Sequence, residues 1–181
     1  MQNGNNCERA PLNKPNNLLV MQIPRLRRYA RALTGDANRA DDLVQDCLAR
    51  ALPRLRLWKP GTDMRAWLFT IMHNLFVNEC RRQRKQPEAA AFAAAAMPGP
   101  YDNSDRDVRL SELQSGLQRL PAEQREVLLL VSIEGLSYRQ VAAALGIPDG
   151  TVMSRLHRGR QQLRKWMSGE PCAASGLRSV K

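Results

Sequence analysis

The sequence predicts an all-α fold made of two small helical domains joined by a flexible linker, the second a helix-turn-helix. Three observations predict it. Apolar residues recur at helical spacing through most of residues 22–85 and 110–166. A stretch of low complexity, an alanine run followed by MPGPYDNSD, separates those two regions. Near the end, two short helical patterns flank a Gly-Ile-Pro turn and carry a basic outer face. The expected layout is a disordered tail over 1–17, a first domain over 18–85, a linker over 86–109, a second domain over 110–167, and a disordered tail over 168–181.

Residues 1–17 are rich in Asn and Pro and lack periodicity. A first helix is expected over 22–33, with Ile23, Leu26, Tyr29, Ala30 and Leu33 on one face. Thr34-Gly35-Asp36 then makes a turn. The second helix, 39–52, buries Leu43, Val44, Cys47, Leu48 and Ala51, and its outer face carries Asp41, Asp42, Gln45 and Asp46. Such an acidic cluster is unusual in a basic chain.

Pro53 should end or kink that helix, because it lacks an N–H and clashes with the preceding turn. Residues 54–63 read as an irregular basic segment with a Pro-Gly turn. The third helix, 64–85, has a buried stripe of Trp67, Leu68, Ile71 and Leu75. Phe69, Met72, His73, Phe76 and Val77 widen the apolar surface beyond the usual stripe of about 100°. Periodicity alone favours a helix buried on several sides. Asn74 and Asn78 share a face at i and i+4, and Arg81, Arg82, Arg84 and Lys85 close the helix. Together with Trp58 and Lys59, this mixture also suits stacking on and hydrogen bonding to unpaired bases.

Helices resume near Ser111, with Leu110, Leu113, Leu117 and Leu120 inward, and Pro121 suits the first turn of the next one. Ser137 with Gln140 forms a capping box ahead of Val141, Ala142 and Leu145. Gly146 supplies a left-handed terminator and Pro148 stops the helix from continuing. In the final helix Val152, Leu156 and Leu163 point inward. Thr151, Ser154, Arg155 and Arg158 fall on the opposite face. This is the pattern of a helix-turn-helix whose second helix enters the major groove. Arg155 and Arg158 are candidates for guanine edges, and Arg139, Thr151 and Ser154 for phosphate or base contacts.

A formal charge of +11 points to a polyanion, and nucleic acid is favoured over a membrane surface. The four cysteines are widely spaced, without a C-x-x-C pair, and read as reduced thiols rather than a disulfide framework or zinc site. There is no apolar signal region and no window approaching a membrane span, so a cytoplasmic location without membrane insertion is expected. No metal cluster, Gly-rich phosphate loop or nucleophile–base pair supports catalysis, and no cofactor is called for. His73 and His157, the two histidines, lie within basic helices.

Three stretches carry a resemblance: IPRLRRYARALTGDANRADDLVQDCLARAL, PGTDMRAWLFTIMHNLFVNECRRQRK and LPAEQREVLLLVSIEGLSYRQVAAALGIPDGTVMSRLHRGR. In this order they resemble an extracytoplasmic-function (group 4) sigma factor of bacterial RNA polymerase, over residues 22–166. The resemblance implies that the first domain binds the polymerase clamp and melts the −10 element, while the second binds the −35 element as duplex. Asp41, Asp42, Leu43, Val44, Gln45 and Asp46 fall on the family's core-binding motif, which docks on the β′ subunit. Trp58, Lys59, Phe69, His73, Asn74, Phe76, Asn78, Arg81 and Arg82 fall in its −10 and single-strand region. Implied partners are core RNA polymerase through the β′ clamp and β flap, promoter DNA, and an anti-sigma factor. Pro53 departs from the family, whose chains continue a helix there. The alternative function is a conventional helix-turn-helix regulator acting on duplex DNA without polymerase.

Overall fold

The computed structural model describes residues 14–59, 61–85 and 105–168. Among these are seven helices: α1 (Lys14–Thr34), α2 (Ala37–Ala51), α3 (Met64–Lys85), α4 (Asp105–Arg119), α5 (Ala122–Ser132), α6 (Tyr138–Leu145) and α7 (Asp149–Met167). The expected linker falls largely, and both tails mostly, outside the described residues.

α1 begins well before the expected start at residue 22, and it contains Pro24. Its N-terminal extension is anchored by Leu19, which is buried in line with Leu26, Ala30 and Leu33. Apolar burial on that stripe outweighs the helix-breaking composition of the flanking Asn and Pro residues. Thr34 closes the helix by donating its hydroxyl to the Ala30 carbonyl at 2.9 Å. Asp36 caps α2, accepting from the Arg39 N–H at 2.7 Å.

α2 does not run into an irregular segment. It passes into a 3-10 helix, Leu52–Leu57, with Pro53 in its first turn, where the missing N–H costs no hydrogen bond. Asp63 then caps α3 by accepting from the Arg65 N–H at 2.9 Å. α3 is buried on several sides, as its broad apolar surface predicts: Leu68, Phe69, Met72, Leu75 and Phe76 are all in the core. The rings of Tyr29 and Phe69 meet at 4.8 Å with an interplanar angle of 60°, an edge-tilted pair across α1 and α3.

In the second half, the capping box is complete: Ser137 accepts from the Gln140 N–H and Gln140 Oε1 accepts from the Ser137 N–H. Gly146 is left-handed at φ 65°, which turns the chain sharply between α6 and α7. Gly116 of α4 is required for a different reason. A Cβ there would lie 2.5 Å from Cδ1 of Trp166, so only glycine lets α4 approach α7. Arg119 completes that corner, its guanidinium 3.8 Å from the Trp166 ring centre.

The two halves are packed together. Buried residues of both form one continuous apolar cluster, with α1 against α4 and α5, and α3 against α6.

Candidate nucleic-acid interface

The acidic face of α2 presents Asp42, Gln45 and Asp46 to solvent, with Asp41 half-buried beside them. Leu43 and Val44 of the same motif are buried, at 4% and 2% exposure, because they hold α2 on the core. They support the face and do not form it. Beside it an open cleft of about 400 Å³ runs between α2 and α3, lined by Asp42, Gln45, Asp46, Asn78 and Arg82 among others. Arg39 fixes one wall, pairing with Glu79 at 3.1 Å.

On α3, Asn74, Asn78, Arg81 and Arg82 are exposed and follow one another at helical spacing. Phe69 and Phe76 are not available to bases, because at 2% and 5% exposure they fill the core. Trp58 is half-buried, with a buried Nε1 that has no hydrogen-bond partner, and Lys59 is exposed beside it. His73 points away from the Asn stripe: its Nδ1 lies 2.7 Å from Oε1 of Glu126, in the other half of the molecule.

On α7, Val152, Leu156 and Gly159 face inward. Ser154 and Arg158 are exposed, Thr151 is half-buried, and Arg139 on α6 is exposed. Arg155 departs from the expected arrangement. It turns to the flank and pairs with Glu123 at 2.5 Å, so it braces α7 against α5 instead of facing outward. His157, expected at the surface or facing DNA, is exposed on the side of Ser154 and Arg158, and so is Gln161, which was not expected there. The spacing of Gln161 from Ser154, seven residues, is the signal that could have found it.

Glu126 and Glu134 are the other residues missed, and both are buried. The Tyr29 phenol beside them is raised well above its ordinary value, first by its own burial and then by the charge of Glu126. Arg125 is also enclosed: desolvation lowers its pKa, and its guanidinium donates to the carbonyls of Leu33, Gln118 and Leu120. An acid at intervals of eight within the apolar run EVLLLVSIE was the available clue.

Among the described residues, no group of three or more His, Cys, Asp and Glu side chains could hold a metal ion, and no helix is long and apolar enough to cross a membrane. Cys47 is buried, donates to the Leu68 carbonyl at 3.6 Å, and has its thiol pushed up to about 12 by burial.

Residues 19–73 match the family described as the Sigma2 domain of PhyR, and residues 110–163 match Sigma-70, region 4. The chain is 39% identical over 145 residues to the ECF RNA polymerase sigma factor EcfG of Rhodopseudomonas palustris, covering 80% of each chain. It is 36% identical over 142 residues to the ECF RNA polymerase sigma factor SigL of Mycobacterium tuberculosis, covering 77% of this chain and 80% of the relative. Its fold is similar to that of the sigma factor RpoE of Bartonella quintana, solved in complex with the anti-sigma factor NepR. That likeness has a TM-score of 0.69 at 31% identity, over 86% of this chain and 97% of the other. With region 2 and region 4 matched in order and relatives covered over most of their length, the chain belongs to the ECF sigma factors of bacterial RNA polymerase.

Proposed function

We propose that this chain is an alternative sigma subunit that docks on core RNA polymerase through the acidic face of α2, opens the −10 element with α3, and addresses the −35 duplex with α7. The observation that carries the reading is the sequence of faces along one chain. An acidic exposed face (Asp42, Gln45, Asp46) adjoins an exposed Asn/Arg stripe (Asn74, Asn78, Arg81, Arg82), and a capped helix-turn-helix with Ser154 and Arg158 outward follows.

Each face suits a different target. The carboxylates complement a basic docking surface on polymerase and would repel DNA. Amide side chains on α3 can hydrogen-bond the edges of unpaired bases, and Arg81 and Arg82 can hold the strand's phosphates. α7 meets duplex through phosphates and a few base edges in the major groove. Polymerase then carries out the chemistry, while this subunit chooses the site. Capture of extruded bases offsets lost stacking of roughly 1–2 kcal/mol per step.

The fold likeness to RpoE, solved with NepR, supports an anti-sigma partner of comparable kind. The location that fits these partners is the cytoplasm, where polymerase and promoter DNA are found. Run-off transcription with core polymerase, this chain and a promoter library tests the function. Transcripts starting at a shared sequence pair are expected only when the chain is added. Duplex binding by the chain alone, with no chain-dependent transcript, would replace this reading with that of a conventional helix-turn-helix regulator.

A further inference from the structure

Met153 and Met167 are the exposed large apolar residues of α7 among the described residues, and Met153, at 53% exposure, is the one in its N-terminal half. Its neighbours on the same outward surface are Ser154, His157 and, one turn earlier, Gly150. Val152, Leu156 and Gly159 hold the opposite side of the helix on the core. Met153 therefore contributes little to packing, and its side chain is presented to whatever α7 meets.

Gly150 is not explained by the fold either. A Cβ there would meet nothing within 4 Å, and the backbone lies outside the left-handed region. Neither packing nor turn geometry requires glycine at this point, and within a helix glycine is less favourable than alanine. What the missing side chain does provide is room for an outside surface to come close to the first turn of α7.

The groups around Met153 define the chemistry of that surface. Arg158, Arg160 and Arg164 are exposed along the same helix. Arg160 and Arg164 share with Met153 and Tyr138 an open cleft of about 440 Å³. Arginines so placed suit phosphates. Ser154 donates its hydroxyl to the Thr151 carbonyl at 3.1 Å, so toward an outside partner it presents lone pairs only. An apolar group beside an acceptor complements an A·T pair in the major groove, which offers the thymine methyl and the adenine amine together. A G·C pair has no methyl.

We propose that Met153 is a specificity-determining residue for the −35 element: its side chain packs on the C5-methyl of a thymine, and Gly150 gives α7 the close approach that this contact requires. The proposal deepens the sigma reading and rests on it. It adds an apolar determinant to a helix whose arginines recognise DNA through charge and hydrogen bonds.

Replacing thymidine with deoxyuridine tests it, because the exchange removes the methyl and leaves every hydrogen-bonding group of the base pair in place. Holoenzyme is assembled with the full-length chain, and its affinity is measured for the promoter selected from the run-off library. The same promoter is then made with deoxyuridine at each −35 thymine, one at a time and on either strand. For the wild type, one such exchange should weaken binding roughly threefold to fivefold, the order expected for a single buried methyl. Met153→Ala should lose a similar factor on the thymidine promoter and treat the two bases at that position alike. Met153 is exposed, so this variant should fold as the wild type does. Gly150→Ala should be at least as heat-stable as the wild type yet bind both promoters more weakly. A −35 element without thymine on either strand would overturn the proposal, as would a wild type indifferent to every deoxyuridine. Undiminished discrimination by Met153→Ala, or full affinity of Gly150→Ala, would overturn it too. Failure of the sigma reading is distinguishable, because no chain-dependent transcript would then be obtained from the library at all.

Discussion

His73 Nδ1 and Glu126 Oε1 lie 2.7 Å apart, joining α3 in the first half of the molecule to α5 in the second. The pair removes His73 from the stripe that faces solvent, leaving Asn74 and Asn78 as its outward polar groups nearby. The exposed faces are therefore defined as much by this long-range packing as by helical periodicity.

The acidic face of α2 should be essential for polymerase and dispensable for folding. Asp42 and Asp46 are exposed one turn apart, so Asp42→Arg with Asp46→Arg should abolish pull-down of core polymerase. Thermal unfolding should change little, since surface substitutions are usually within ~0.5 kcal/mol. Retained polymerase binding with normal transcription would remove this face from the docking site.

Arg158 and Arg155 should behave differently on −35 duplex. Arg158 is exposed, so Arg158→Ala should weaken duplex binding by roughly 1–3 kcal/mol at fixed salt. Arg155 is committed to Glu123, whose side chain is 70% exposed. Arg155→Ala should therefore cost less in DNA binding, and little in stability. Anisotropy titrations of both variants at one ionic strength make the comparison. Equal losses would return Arg155 to the reading face.

Phe69 should report on stability and not on DNA. Buried against Tyr29, it should cost about 3–5 kcal/mol of unfolding free energy when replaced by Ala. Denaturant unfolding measures this. A stable Phe69→Ala variant with defective promoter opening would instead indicate a base-stacking role.

The α3 cap should be acid-sensitive. Burial alone would raise the Asp63 carboxyl, but the hydrogen bonds and charge of Arg65 and the backbone N–H groups outweigh it, and its pKa falls below the ordinary 3.8. A carboxylate with a lowered pKa in the folded state contributes stability that is present at neutral pH. That contribution is lost as pH falls from the ordinary value through the lowered one. Asp63→Asn should therefore be less stable than wild type at pH 7, with the gap narrowing by pH 3. A gap independent of pH would show that the charge of Asp63 contributes nothing.

The elements governed by local chemistry were legible in the sequence. α3 occupies the expected residues, and the Ser137–Gln140 capping box and the left-handed Gly146 stand where their side-chain and backbone preferences place them. The acidic face of α2 was legible too, though Leu43 and Val44 within its motif proved to be support. The remaining differences come from contacts distant in sequence. Nothing local to Phe69 distinguishes a stacking ring from one filling the space beside Tyr29. Arg155 could not be assigned to the flank of α7 without knowing that Glu123 of α5 lies beside it. The carboxylate of Glu134 is buried by Arg28, 106 residues away, and helical periodicity carries no information about such a pair.

Transcription from matched duplex and pre-melted templates tests the central claim most directly, that α3 captures unpaired bases while α7 anchors duplex. Holoenzymes would be assembled with wild-type chain, Asn74→Ala, Asn78→Ala and Arg158→Ala. The asparagine variants should initiate slowly on fully paired promoter and recover much of the wild-type rate on a bubble, because the unpairing cost has been removed beforehand. Arg158→Ala should remain impaired on both templates, since its duplex contact lies upstream of the bubble. If the asparagine variants are as active as wild type on both templates, strand capture by this face of α3 is contradicted.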